Sequence, residues 1–76
     1  MKELVEFLAR ELVDDPESVR VTETYDDRGV RYQLQVAPDD MGKVIGRSGR
    51  TARAMRLVVQ AAARKQGTAA TIDIID

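Results

Sequence analysis

Nine consecutive residues, Gly42-Lys43-Val44-Ile45-Gly46-Arg47-Ser48-Gly49-Arg50, hold most of the chemistry this sequence offers. Gly46 and Gly49 stand three apart, a spacing that permits a tight turn and, with no β-carbon in the way, lets a phosphodiester approach the main chain. Ahead of a helix, such a turn would face backbone amides toward phosphate oxygens, helped by the positive end of the helix dipole. Arg47 and Arg50 add charge, Ser48 can donate one hydrogen bond to a phosphate, and Lys43 lies about one helical turn upstream. The chemistry is anion binding. Two nucleotide motifs are excluded by the letters: the position five after Gly42 is Arg47 where a P-loop needs glycine, and Val44 occupies the second glycine position of a dinucleotide fingerprint.

Catalysis has little to work with. The 76 residues contain no cysteine and no histidine, so thiolate and imidazole nucleophiles, the usual zinc ligands and the commonest general base are all missing. No base, nucleophile or metal cluster can be assembled, and we expect a non-enzymatic protein without a cofactor or a metal. A chain this short makes one domain, residues 1–76, with little room for a buried chamber. No run approaches the roughly 18 apolar residues of a membrane span, and acids interrupt the apolar N-terminus. The expectation is a cytoplasmic protein of bacterial style, without a targeting segment or a membrane partner.

Net charge is only -1, which by itself argues against a nucleic-acid partner. Its distribution argues for one. Between Met41 and Gly67 stand Lys43, Arg47, Arg50, Arg53, Arg56, Arg64 and Lys65 with no acid, so that stretch carries +7. The remainder sets all 13 acids against five bases, giving -8. Segregation of this kind makes a local positive field for an anionic partner.

The elements that must hold the turn follow from periodicity. Lys2 to Val13 repeats Leu4, Leu8 and Leu12, flanked by Val5 and Phe7, against a polar complement, which predicts an amphipathic helix ended by Asp14-Asp15-Pro16. Val19 to Tyr25 and Val30 to Val36 alternate and are rich in β-branched residues, with Asp26-Asp27-Arg28-Gly29 between them, which predicts an antiparallel hairpin. A short helix over Met41 to Ile45 is expected, capped by Asp39 or Asp40. After the turn a longer helix should run from Arg50 or Thr51 to about Gln66, with Gly67 as its stop, and Ala70 to Ile74 reads as a last strand. In the long helix, spacing puts Met55, Val58, Val59 and Ala62 on the core face and Arg53, Arg56, Gln60 and Arg64 opposite. Leu57 falls outside that arc beside Ala54 and Ala61. Tyr25 and Tyr32 are expected to pack rather than stack on bases.

Val44-Ile45-Gly46-Arg47-Ser48-Gly49-Arg50 resembles the V-I-G-x-x-G core of a K-homology (KH) domain, and the order αββααβ is that of the type II, bacterial form. Leu12 to Pro16, Val36 to Gly46 and Arg50 to Arg56 are similar to the corresponding stretches of the small bacterial KhpA family, so the likeness covers essentially the whole chain. Ser48 departs from that family, where a longer polar residue is usual. The resemblance implies an α+β fold, a three-stranded mixed sheet packed on three helices. It implies single-stranded RNA as partner, the turn clamping the backbone of about four nucleotides. The expected RNA-binding residues are Gly46, Arg47, Ser48, Gly49, Lys43, Arg50, Arg53, Val44 and Ile45. In KH domains bases lie in a groove walled by the two helices and an edge strand, here involving Val44, Ile45, Ala52 and strand residues near Val36. The implied role is RNA chaperone or post-transcriptional regulator. The alternative is an interaction module that forms a homodimer or pairs with a larger KH-containing (Jag-type) protein, with RNA binding secondary.

Overall fold

A computed structural model describes residues 1–75 of the chain. Helix α1 (Lys2–Leu12) leads through a 3-10 turn at Pro16–Ser18 into strands β1 (Arg20–Asp26) and β2 (Gly29–Gln35). A second 3-10 turn, Pro38–Asp40, precedes α2 (Met41–Ile45); a third, Arg47–Gly49, separates it from α3 (Arg50–Lys65), and β3 (Ala70–Ile75) closes the order. The sheet runs β1-β2-β3, with β2 antiparallel to β1 and parallel to β3. A parallel neighbour needs a crossover connection, and α2, the turn and α3 supply it. The αββααβ order and the mixed sheet are those of a type II KH fold, as the resemblance implied.

One face of the sheet packs on the helices. Val21, Val30, Tyr32, Leu34, Ala70 and Ile72 are buried there against Val5 and Ala9 of α1 and Met55, Val59 and Ala63 of α3. The other face presents Arg20, Thr22, Thr24, Arg31, Gln35, Thr71 and Asp73 to solvent. Among the described residues no helix is long and apolar enough to cross a membrane.

Several expectations shift in detail. Helix α1 buries Val5 and Ala9 completely, while Leu4, Leu8 and Leu12 pack at the margin and Phe7 is exposed. The leucine stripe thus marks the edge of the contact rather than its centre. In α3 the core face rotates toward Ala52 and Ala63: Met55 and Val59 are buried as expected, Ala62 is half-buried, and Val58 is 47% exposed because α1 covers only part of that flank. Tyr32 is buried on the central strand, but Tyr25 is 76% exposed, since it stands near the hairpin tip. Asp40 does not cap α2, which has no side-chain cap; its carboxylate turns instead toward the end of α1.

Candidate nucleic-acid interface

Helix α2 stops at Gly46 because that residue takes φ 76°, ψ 171°, a left-handed extended backbone closed to side-chain-bearing residues. Its amide still donates to the Gly42 carbonyl at 2.8 Å, and the Gly49 amide donates to the Gly46 carbonyl at 3.1 Å. Ser48 (φ 56°, ψ 26°) and Gly49 (φ 74°, ψ 16°) follow in left-handed conformations, and α3 begins at once. The glycines serve different needs. A β-carbon on Gly46 would overlap the Thr51 side chain and lie 2.9 Å from its backbone nitrogen, whereas one on Gly49 would meet nothing within 4 Å. Gly46 permits close packing of the turn onto α3; Gly49 supplies only its dihedral angles.

The turn is a knuckle at the start of a 16-residue helix, with Arg47 and Ser48 exposed and Arg50 and Arg53 exposed just beyond. No side chain caps the first turn of α3, and the Arg50 amide at its start donates to the Arg47 carbonyl. Among the described residues, the arginines 47, 50 and 53 have no acidic side chain within ion-pair distance, so their charge faces outward unpaired. The arrangement can hold an anionic backbone against amides, a hydroxyl and three guanidinium groups.

The structure gathers Gly46, Arg47, Ser48, Gly49, Arg50, Arg53 and Ile45, the last 38% exposed beside the turn. Two expected site residues lie elsewhere. Val44 has no exposed surface: it points into the core, as the second apolar residue of so short a helix must if that helix is to be held at all, and it supports the turn from below. Lys43 turns away toward the end of α1, its Nζ 3.2 Å from Asp14 Oδ2 and 3.7 Å from Asp40 Oδ1. The Asp14 carboxylate, and after it Asp40, holds the Lys43 ammonium above its ordinary pKa.

The groove wall also moves. Ala52 is buried, and Val36 is buried just past the central strand, so neither offers a surface. The strand that borders α3 at a free sheet edge is β3, and Arg56 Nε donates to the Ile72 carbonyl there at 3.2 Å. That bond ties the arginine flank of α3 to the edge of the sheet. Sequence reasoning took Asp40 only as a candidate helix cap and Thr51 only as a possible helix start, and the signal for their packing roles was position alone: a second acid before a short helix, and a small β-branched residue two places after the turn.

A second surface lies on the opposite flank of α3. Leu8, Glu11 and Leu12 of α1 and Thr51, Ala54, Met55 and Val58 of α3 line a shallow apolar groove of about 230 Å³. Leu57 is 58% exposed next to it, with Ala54 and Ala61 also exposed. Among the described residues no group of three or more metal-ligating acids converges.

Comparison with known proteins adds the family. A family model described as KhpA/KhpB, KH domain, matches residues 2–74. The RNA-binding protein KhpA of Halalkalibacterium halodurans is 57% identical over 76 residues, all of both chains. That of Clostridium perfringens is 51% identical over 75 residues, 99% of this chain and 100% of the relative. That of Aquifex aeolicus is 43% identical over 76 residues, 100% of this chain and 96% of the relative.

Proposed function

The chain belongs to the KhpA/KhpB family of KH domains, and from that premise we propose that it binds single-stranded RNA through the Gly46–Gly49 turn, without catalysis, as an RNA chaperone or post-transcriptional regulator in the cytoplasm. The observation that carries this reading is the turn: three of its four residues, Gly46, Ser48 and Gly49, take positive φ and present the turn, without a side-chain cap, at the start of α3, beside Arg47, Arg50 and Arg53, which have no acidic partner among the described residues. A flexible single strand can lay its phosphates on that knuckle while its bases splay beside the exposed Ile45. Relatives named RNA-binding protein KhpA support the choice of RNA among anionic partners.

The test is charge reversal at the clamp. Arg47→Asp with Ser48→Asp places two carboxylates where phosphates would sit, on residues that are exposed and contribute nothing to the core. Fluorescence anisotropy with a single-stranded RNA should show binding lost, while thermal unfolding stays cooperative at nearly the wild-type temperature. Undiminished affinity in the folded double variant would reject the clamp.

A second reading rests on the apolar flank of α3. Exposed Leu57 and Val58 beside the apolar groove favour an interaction module, in which copies of the chain form a homodimer or the flank receives a larger KH-containing partner of the Jag type. The groove lies on the flank of α3 opposite Arg53 and Arg56, whereas Leu57 stands one turn after Arg53, so the two surfaces adjoin there.

A further inference from the structure

On the reading that the turn binds RNA, we propose that Lys43 is the counter-ion of the buried Asp40 carboxylate rather than a contact for phosphate, and that Asp40 is the positioning residue that pins α2, and with it the turn, to the end of α1. Among the described residues Asp40 is the one charged side chain in the interior, 3% exposed. Its two oxygens accept hydrogen bonds from consecutive backbone amides, Asp14 N at 3.3 Å and Asp15 N at 3.0 Å, across 26 and 25 residues of chain. A carboxylate withdrawn from water persists only where donors and a cation compensate it, and Lys43 Nζ at 3.7 Å is that cation.

Helix α2 needs such a pin. Five residues form little more than one turn, far below the length at which a helix holds itself together. Val44, sunk in the core, Met41, packed against it, and Asp40, bound to the end of α1, fix its place. Gly46 follows Asp40 by six residues, about 9 Å along a helix, so a shift at Asp40 is passed to the turn nearly undiminished. The same contacts decide which way Lys43 points. It lies on the α1 side of the molecule, in a group of two carboxylates and one ammonium with a local charge of -1. Phosphate is repelled there and attracted to the arginine flank that meets β3.

The test compares Lys43→Met, Lys43→Arg and Arg47→Met, measuring affinity for a single-stranded RNA across 0.1 to 0.3 M salt together with amide hydrogen exchange at Asp14 and Asp15. Methionine keeps the length of the half-exposed lysine stem, so the fold should survive the change. Arg47→Met, a reference contact at the clamp, should make the slope of log affinity against log salt shallower by about 0.7. Lys43→Met should leave the slope at its wild-type value, speed exchange at Asp14 and Asp15, and weaken binding about fivefold. Lys43→Arg, which restores the cation, should recover both exchange protection and affinity. A slope shallower by about 0.7 in Lys43→Met would make Lys43 a phosphate contact and overturn the proposal. Unchanged exchange and affinity would overturn it from the other side, since the pair would then position nothing. Failure of Arg47→Met to change the slope would instead count against the RNA clamp itself.

Discussion

At the scale of single residues, the two glycines of the turn make a matched pair for mutation. Alanine at Gly49 must adopt φ 74° but meets no neighbour, so it should cost about 1 kcal/mol, the ordinary price of a left-handed β-carbon. Alanine at Gly46 must adopt φ 76°, ψ 171°, a region all but closed to side-chain-bearing residues, and in addition collides with Thr51, whose side chain and backbone nitrogen are part of the first turn of α3. Its cost should exceed that of Gly49→Ala by about 2 kcal/mol, measured by chemical denaturation. Equal costs would mean that both the backbone at Gly46 and its contact with Thr51 relax freely. Ser48, left-handed without being glycine, is the third strained position, and residues held in such conformations cluster where backbone is presented to a ligand.

Elements place Tyr32, which pairs across strands with Glu23 at the centre of the sheet. Burial first, and then the Glu23 carboxylate, push its phenol up to about 12. An unfolded tyrosine ionises near 10. The folded state therefore binds the proton more tightly than the unfolded one, so this contribution to stability is whole below about pH 10 and is lost as pH rises toward 12. Tyr32→Phe has no proton to lose. Between pH 10 and 12, thermal unfolding of the wild type should fall more steeply than that of Tyr32→Phe, with the two converging in slope below pH 9. Parallel curves across the whole range would show that the phenol is not held neutral by the sheet.

For the molecule as a whole, charge and shape make separate forecasts. Three arginines at the clamp, each neutralising about one phosphate on a single strand, predict a slope of log affinity against log salt near about -2, and a groove for about four nucleotides with few aromatics predicts affinity of about micromolar or weaker. Single-stranded RNA should bind better than duplex DNA, because paired bases cannot splay beside Ile45. A preference for the duplex with a steeper slope would reduce the site to a cationic patch. Exposed Leu57 forecasts association: Leu57→Glu should lower the sedimentation coefficient of a homodimer toward that of the monomer. A wild-type chain monomeric at every accessible concentration would remove that face as a self-contact.

The order of elements, the antiparallel hairpin, the turn and the segregation of charge were all legible in the sequence, because each depends on neighbours within a few positions: alternation, helical spacing, glycine pairs and runs of like charge. Periodicity says which residues share a face but not how far a neighbouring element covers it. Leu4 and Val58 match the pattern of buried residues, yet they lie at the margin because α1 and α3 overlap only partly, and Tyr25 is exposed on the edge strand β1 near the hairpin tip. Long-range partners have no local signal at all. That Asp40 binds the amides of Asp14 and Asp15, that Lys43 turns to it and away from the turn, and that β3 rather than the chain near Val36 forms the free edge beside Arg56 follow from contacts between segments remote in sequence, which only the packed chain brings together.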